Sequence, residues 1–187
     1  MTVPTDLDAR FRAAAADAGL LDVATATHDT PIGTLFLAVS GGGLCKVSFD
    51  PEPEREEELL ARRFGARVLR SPKPVDPVRR ELDEYFAGRR RDFDVRLDLR
   101  TVGGEFGRAV LAELARVPYG RTTTYGTLAA RSGRPRAARA VGTVMNRNPI
   151  PIVLPCHRVV GSSGSLVGYG GGLERKQALL RLEGVAL

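Results

Sequence analysis

The sequence NPIPIVLPCHRVV, residues 148–160, decides how the second half of this chain is interpreted. Its apolar run at 150–154 predicts a strand, and Cys156, His157 and Arg158 follow that run almost directly. Positive charge next to a cysteine favours the thiolate, which is the nucleophilic form of the side chain. Since neighbouring side chains on a strand point to opposite faces, Cys156 and His157 cannot pair directly unless the chain turns there or a water bridges them.

Residues 161–172 form a glycine- and serine-rich segment after this motif. The segment lacks the Lys-Ser/Thr pair of a phosphate-binding loop, so we interpret it as a loop that gates substrate access to the cysteine. Apolar spacing predicts a helix over Leu173–Leu182. Glu183 ends that helix, and its carboxylate becomes relevant to function if it reaches His157.

The residues before the motif predict a helix-turn-helix. A first helix is expected over 106–117, Thr124 caps a second helix over 125–131, and a third is expected over 136–147. The third helix has a nearly smooth face interrupted by arginines; these residues are Ala137, Ala138, Ala140 and Gly142, with Arg136 and Arg139. Small residues let a helix backbone approach another surface closely, so this face suits either DNA or tight packing in a protein core.

Charge is distributed unevenly along the chain, whose 187 residues carry a formal net charge of +6. Residues 1–102 contain 16 basic and 18 acidic side chains, whereas residues 103–187 contain 12 basic and 4 acidic ones. A basic half indicates a polyanionic partner such as nucleic acid. An arginine-rich proteome explains the same numbers, so composition alone leaves both interpretations open.

Composition also excludes several classes of protein. With 43% hydrophobic and 27% charged residues the chain can bury a core, so it is neither disordered nor collagen-like. Two cysteines do not make a disulfide framework, and an inert buried role is favoured for Cys45. The best available metal ligands (His28, Cys45, Cys156 and His157) have unsuitable spacing, so we expect no metal. No secretion signal or membrane-spanning run is recognised, so we expect a soluble cytoplasmic protein with reduced thiols.

The first hundred residues predict a small α+β domain that carries no recognisable chemistry. Helices are expected over 5–20, 52–64 and 78–86, and strands over 34–39, 43–49 and 93–99, with a proline-rich loop at 71–77. The strands at 34–39 and 43–49 are expected to pair as a hairpin. Because residues 101–104 read as a linker, we divide the chain into an N-terminal domain, 1–100, and a C-terminal domain, 101–187.

In these segments the sequence resembles the O6-alkylguanine-DNA alkyltransferases, also called methylated-DNA–protein-cysteine methyltransferases. The matching residues run in order over about 85 positions and are Val117-Pro118-Tyr119-Gly120, Thr124-Tyr125, Ala137-Ala138-Arg139-Ala140-Val141-Gly142, Asn148-Pro149, Pro155-Cys156-His157-Arg158-Val159, Tyr169-Gly170-Gly171-Gly172 and Glu183-Gly184. The N-terminal half matches only loosely, at Thr30-Pro31-Ile32-Gly33 and Tyr85-Phe86-Ala87-Gly88.

The resemblance implies an α+β fold with a small ribonuclease H-like N-terminal domain of structural role. The C-terminal helical domain would hold a winged-helix-like helix-turn-helix and the active-site loop. The implied reaction is irreversible, single-turnover repair: Cys156 takes the alkyl group from O6-alkylguanine in double-stranded DNA after minor-groove binding and base flipping. O4-alkylthymine is left open as a second substrate. No cofactor and no membrane are implied, a monomer is expected, and cooperative binding along DNA is left open.

The resemblance also assigns roles to individual residues. His157 would take the thiol proton through a water, Glu183 would orient the imidazole, and Asn148 would lock the turn before the active site. Arg139 would fill the gap left by the flipped nucleotide, and Tyr125 would contact the guanine ring. The remaining implied contacts are a DNA face of Arg136, Ala137, Ala138, Ala140 and Gly142, and a substrate pocket of Tyr169, the Gly170 N–H and the carbonyls of Cys156 and Val159.

Three positions depart from the family pattern. Gly107 and Leu111 stand where glutamine and tryptophan are common, which concerns packing, and Arg147 stands where glycine is common. Arg147 either changes the turn beside it or adds a phosphate contact.

Three other functions were weighed against alkyl transfer. A non-enzymatic sensor of alkyl damage is disfavoured because that group has lost the cysteine, which is present here as Cys156. A cysteine hydrolase is disfavoured because such enzymes usually place nucleophile and base far apart in sequence. A helix-turn-helix regulator is disfavoured because it assigns no function to Cys156, His157 and Glu183.

Overall fold

A computed structural model describes residues 5–186, and the chain divides into two compact units. The first unit contains the chain up to Tyr85 together with Asp94–Asp98, and the second contains Phe86–Phe93 and the chain from Leu99 onward. The architecture is α+β, as the sequence predicts. The chain passes between the units after residues 85, 93 and 98. A single domain boundary at residue 100 stays a prediction.

The first unit is built on a four-stranded sheet in the order β3-β2-β1-β4. The strands are β1 (Val23–Thr30), β2 (Gly33–Ser40), β3 (Gly43–Phe49) and β4 (Val68–Arg70). β2 pairs antiparallel with both β1 and β3, and β4 pairs parallel with β1. The helices of this unit are α1 (Thr5–Asp17), α2 (Pro53–Phe64) and α3 (Asp76–Phe86), with a 3-10 turn at Lys73–Val75.

The predicted hairpin of β2 and β3 is confirmed, but sequence patterning missed β1 and β4. β1 reads VATATHDT, in which small and polar residues give no strong apolar alternation. It is nevertheless buried at its start because it lies between β2 and β4. The strand predicted over 93–99 is wrong, since Leu97 makes only an isolated bridge to Leu44. The bridge consists of two 2.8 Å hydrogen bonds, from the Leu44 N–H to the Arg96 carbonyl and from the Asp98 N–H to the Leu44 carbonyl.

The sheet and α2 enclose an apolar core. Its buried members are Val23, Phe36, Ala38, Cys45 and Leu60, with Phe64 and Val68 packed against them. Cys45 is 2% exposed, and its thiol donates to the carbonyl of Ala38 over 3.3 Å. This environment is that of an inert packing cysteine.

The second unit carries the helices that the motifs predict. They are α4 (Glu105–Ala115), α5 (Tyr125–Arg131), α6 (Ala138–Asn146) and α7 (Leu173–Leu182), with β5 (Thr123–Thr124) parallel to β6 (Val159–Val160). Thr124 caps α5 as predicted, because its hydroxyl accepts from the backbone N–H of Thr127 over 3.1 Å. α6 begins two residues later than predicted, since the Ala137 N–H bonds to the Arg134 carbonyl in a turn.

The two departures on α4 are both packing positions, as expected. Gly107 and Leu111 are buried, and Leu111 is only 1% exposed. Within residues 5–186, none of the helices combines the length and the apolar character that crossing a bilayer requires.

Candidate active site

The active-site cysteine follows a tight turn and not the predicted strand. The Leu154 N–H donates to the Ile150 carbonyl over 2.9 Å, and Ile152 adopts a φ of 75°. The strand prediction over 150–154 is wrong because prolines at 149, 151 and 155 lack the N–H groups that a ladder needs. Apolar composition alone did not distinguish a buried turn from a buried strand.

Asn148 holds this turn closed with both ends of its side-chain amide. Its Nδ2 donates to the Leu154 carbonyl over 2.9 Å, and its Oδ1 accepts from the Ile150 N–H over 3.1 Å. These bonds fix the backbone directly before the cysteine, which agrees with the turn-locking role implied for Asn148. Arg147, which precedes Asn148 and stands where glycine is common in the family, causes no backbone strain, since its φ of −103° is one that any residue adopts.

Cys156, His157 and Arg158 form one 3-10 turn and are all buried. The sequence allowed for a turn at this point, and the turn removes the strand alternation that would have sent Cys156 and His157 to opposite faces. Directly after it, β6 pairs with β5, with Val159 opposite Thr123. The start of the helix-turn-helix and the reactive segment are therefore joined by backbone hydrogen bonds.

Glu183 reaches His157, which is the condition that the sequence set for its functional relevance. His157 Nε2 lies 2.8 Å from Glu183 Oε1, with both side chains fully buried. Burial alone would raise the pKa of the Glu183 carboxyl, but hydrogen bonds from His157 and Arg158 outweigh burial and lower it to about 2. An ionised carboxylate only accepts, so the Nε2–H donates and Nδ1 is left as the acceptor of the imidazole. Nδ1 is buried and has no hydrogen-bond partner within residues 5–186.

Arg158 is bound to the same carboxylate and does not act on the thiol. Its Nε lies 2.9 Å from Oε2 of Glu183, its Nη2 lies 2.8 Å from Oε1, and its Nη1 donates to the Val117 carbonyl over 2.5 Å. The sequence predicted that positive charge from His157 and Arg158 would favour the thiolate, but the net shift in the pKa of Cys156 favours the neutral thiol. Burial raises the pKa of the Cys156 thiol to about 11, although the Asn148 side chain and the charge of Lys176 act to lower it. The resting thiol therefore keeps its proton until a base removes it.

Lys176 is a site residue that sequence reasoning missed. Its side chain is fully buried, and its Nζ donates to the carbonyls of Val159 and Val167 over 2.6 and 2.8 Å. The signal was present in the helix periodicity, since Lys176 lies three and four residues before the buried Leu179 and Leu180. A lysine on the apolar face of α7 predicts a buried cation with specific partners.

A cavity of about 410 Å³ opens over the cysteine. Its lining includes Tyr125, Gly142, Met145, Cys156, Tyr169 and Gly170. The cavity therefore brings together the cysteine with three residues of the implied substrate pocket, from α5, the 3-10 turn and the glycine-rich loop. Val159, which the resemblance also placed in this pocket, does not line it; Val159 is fully buried and its carbonyl accepts from Lys176.

The predicted DNA face lies on the outer side of α6. Arg136, Arg139 and Ala140 are exposed, whereas Ala137, Ala138 and Gly142 are half-buried. The opposite side of the helix is anchored in the core by the buried Val141 and Met145. Gly142 sits at the junction of the DNA face and the cavity, since a Cβ there would lie 3.9 Å from the Tyr125 ring. Within residues 5–186, His, Cys, Asp and Glu side chains form no group that could hold a metal ion.

Comparison with known protein families matches both units. Residues 105–185 match the DNA-binding domain of 6-O-methylguanine DNA methyltransferase, and residues 23–99 match its ribonuclease-like domain. The chain belongs to this methyltransferase family. The second match agrees with the ribonuclease H-like N-terminal domain that the sequence resemblance implies. Residues before 23, which include the whole of α1, lie outside both matches.

Relatives from this family align over most of the chain. The methylated-DNA–protein-cysteine methyltransferase of Mycolicibacterium paratuberculosis is 46% identical and aligns with 84% of this chain and 90% of its own length. The protein of the same name from Methanosarcina acetivorans is 42% identical, with coverages of 85% and 97%. A crystal structure of Mycobacterium tuberculosis OGT in complex with DNA matches with a TM-score of 0.75 and 42% identity, covering 86% of this chain and 92% of its own.

Proposed function

We propose that this methyltransferase repairs DNA by moving the alkyl group from O6 of a guanine in double-stranded DNA onto the sulfur of Cys156. The observation that carries the assignment of the acceptor is a buried thiol beneath a cavity, followed in sequence by an imidazole that a carboxylate orients. The names of the relatives describe methylated DNA as donor and a protein cysteine as acceptor. Cys156 is the cysteine that fits, because Cys45 is packed in the core of the other unit.

The transfer is a single displacement that begins with removal of the thiol proton. Nδ1 of His157 accepts this proton through a water, and Glu183 fixes the ring through Nε2. The sulfur then bonds to the alkyl carbon while the bond from that carbon to O6 breaks. The electron pair of the broken bond stays on O6. The guanine, which remains part of the DNA, takes the proton from the imidazole and is restored as the neutral base. The thioether on Cys156 has no route back to a thiol, so each molecule reacts once.

We assign the DNA interface to the exposed side of α6. DNA binding by this chain is supported by its DNA-binding-domain match and by the DNA complex of its M. tuberculosis relative. Arg136 and Arg139 supply charge there, and the small residues Ala137, Ala138, Ala140 and Gly142 permit close approach to a minor groove. Arg139 enters the stack where the alkylated guanine leaves it, and Tyr125, Tyr169 and the Gly170 N–H receive that guanine in the cavity.

The proposed chemistry is complete within one chain and one unit. Every proposed catalytic, pocket and DNA-binding residue belongs to the second unit, which supports a structural role for the first and a monomer as the acting species. The charge of the second half, with 12 basic and 4 acidic residues beyond position 102, favours binding to a polyanion.

Mass spectrometry after incubation with a duplex oligonucleotide carrying one O6-methylguanine tests the reaction. We expect one methyl group per protein molecule at most, located on the peptide that contains Cys156, and no further uptake with excess DNA. The same duplex without the lesion serves as the control. Tight binding of the lesion without a mass change would overturn transfer in favour of damage sensing, and uptake on another residue would overturn the assignment of Cys156.

Replacement of Arg139 by alanine tests the DNA interface separately from the chemistry. We expect Arg139→Ala to slow methyl uptake from duplex DNA at least about tenfold, the scale of one lost charged contact, while uptake from the free modified base is unchanged. Arg181→Ala is the matched control, because Arg181 is an exposed arginine in the last turn of α7, a helix that contributes no residue to the proposed DNA face. Equal losses on duplex and free base would contradict the finger role of Arg139.

A further inference from the structure

The buried ion pair between Arg158 and Glu183 is not explained by the relay of cysteine, water, histidine and glutamate. A relay needs one carboxylate oxygen on the imidazole, and Oε1 already supplies it at 2.8 Å. Yet Arg158 contacts both oxygens of Glu183, and its own side chain is only 6% exposed. Burying a guanidinium is costly unless its charge and its N–H groups are used.

Arg158 and its neighbours hold the carboxylate in one orientation. The guanidinium is itself fixed by its bond to the Val117 carbonyl and lies 5.9 Å from the centre of the Tyr119 ring. Oε2 of Glu183 also accepts from the Gly120 N–H over 3.1 Å. Gly120 is required at this point, because it has a φ of 70° and a Cβ would lie 2.9 Å from the Glu183 carbonyl oxygen. With Oε2 occupied in this way, Oε1 is directed at His157.

The charges around the imidazole come from two elements, α7 and the 3-10 turn. Glu183, at the end of α7, is the negative group, while Arg158 on the 3-10 turn and Lys176 on α7 are positive. The fourth titratable neighbour is the Cys156 thiol, which is neutral at rest. Burial lowers the pKa of His157 below its usual value; Glu183 opposes this shift, and the charges of Arg158 and Lys176 reinforce it. Without Arg158, the unshared negative charge of Glu183 would favour an imidazolium.

We infer that Arg158 is a positioning residue of the transfer reaction, which neutralises Glu183 so that this carboxylate orients His157 while leaving it an uncharged base. An imidazolium has no lone pair for the thiol proton, so an anionic partner that is too strong would disable the base. Glu183 has two effects on His157: its hydrogen bond orients the ring, and its negative charge favours the protonated ring. Arg158 leaves the hydrogen bond in place and offsets the negative charge. The inference rests on the proposed function for its consequence in the reaction, but its electrostatic part does not need DNA.

The histidine content of the chain makes a direct test practicable. The protein has two histidines, His28 and His157, so their ring signals in an NMR pH titration can be assigned by replacing one of them. His28 lies in the first unit, 2.8 Å from Asp83, and serves as an internal reference. We expect Arg158→Met to raise the titration midpoint of His157 by about 1 to 3 pH units and to leave that of His28 in place.

Two further variants separate charge from geometry. Arg158→Lys retains the charge, and we expect it to keep the His157 midpoint within about one pH unit of the wild-type value. Arg158→Gln retains N–H donors without the charge, and we expect it to raise the His157 midpoint as Arg158→Met does. It therefore replaces the methionine variant in the test if that variant does not fold. Arg181→Met is the control for loss of an exposed arginine from this unit. A His157 midpoint that is unchanged in both uncharged variants would overturn the inference.

The pH profile of single-turnover methyl uptake provides the second readout. We expect the acid limb of the Arg158→Gln rate profile to move to higher pH by the same interval as the His157 midpoint. Above the raised midpoint, the rates of wild type and Arg158→Gln should converge. A structural role alone would lower the rate by a constant factor at every pH. If His157 shifts as expected but no variant and no wild-type protein takes up methyl groups, the proposed function fails and the electrostatic role of Arg158 stands. If transfer occurs and His157 does not shift, the inference fails and the proposed function stands.

Discussion

Replacement of Cys156 by serine is expected to abolish methyl uptake completely while binding to lesion-containing DNA persists. Serine replaces sulfur by oxygen in nearly the same volume, so the 3-10 turn and the cavity above it are preserved. A hydroxyl is far harder to deprotonate than even a thiol whose pKa is about 11, and the neutral hydroxyl is a weak nucleophile towards an alkyl carbon. The measurement is intact mass after incubation with the O6-methylguanine duplex, with lesion binding followed in parallel by fluorescence anisotropy.

Cys45→Ser is the matched control for this experiment. It makes the same chemical change at the chain's other cysteine, where the new hydroxyl can donate to the Ala38 carbonyl as the thiol does. We expect full methyl uptake by this variant. Residual uptake by Cys156→Ser, or loss of uptake in Cys45→Ser despite a folded protein, would contradict the assignment of Cys156 as the acceptor.

Replacement of Glu183 by glutamine is expected to have the largest effect on stability. The variant keeps the size of the side chain but removes the negative charge, so the buried guanidinium of Arg158 loses its counter-ion. Breaking a buried ion pair from one side costs about 3–5 kcal/mol of unfolding free energy. Urea denaturation measures this loss. The pair of Glu52 and Arg55 provides the control, since both side chains are more than 70% exposed and Glu52→Gln should cost less than about 1 kcal/mol.

The pH dependence of that stability difference has a defined sign. The pKa of Glu183 falls from 4.5 to about 2 in the folded protein, so folding favours the ionised form. The carboxylate therefore contributes its full stabilisation above pH 4.5 and loses it as the pH falls towards 2. Burial lowers the pKa of His157, so its protonation at acid pH favours the unfolded chain; this loss occurs in both proteins and is not the source of the change in their difference. We expect the free-energy gap between wild type and Glu183→Gln to narrow below pH 4.5. A gap that is constant from pH 7 to about 3 would contradict the ion-pair account.

Local signals predicted the parts of the second unit that depend on near neighbours. Thr124 was recognised as a helix cap, and α7 occupies the predicted range Leu173–Leu182, because caps and apolar spacing act within one or two turns. The three helices of the predicted helix-turn-helix were also evident from these signals, although the bounds of α4 and α6 differ from the predicted ones by one or two residues. The missed strand β1 and the wrongly predicted strand at 150–154 depend on contacts that short stretches of sequence do not show. β1 is buried by its neighbours in the sheet, and 150–154 turns because Asn148 and the prolines outweigh its apolar composition.

The sequence by itself determined the family, the candidate nucleophile Cys156 and the residues that could serve it, since these depend on residue identity and order along the chain. The tertiary structure decided which of those groups meet. His157 and Glu183 are 26 residues apart and come within 2.8 Å, Arg158 faces Glu183 and not the thiol, and Lys176 points into the site from an otherwise ordinary helix. Buried charges select their partners by proximity in a low-dielectric interior, where an unpaired charge is costly. Sequence spacing does not encode that proximity, because only the packed helix α7 and the turn before β6 bring these charges together.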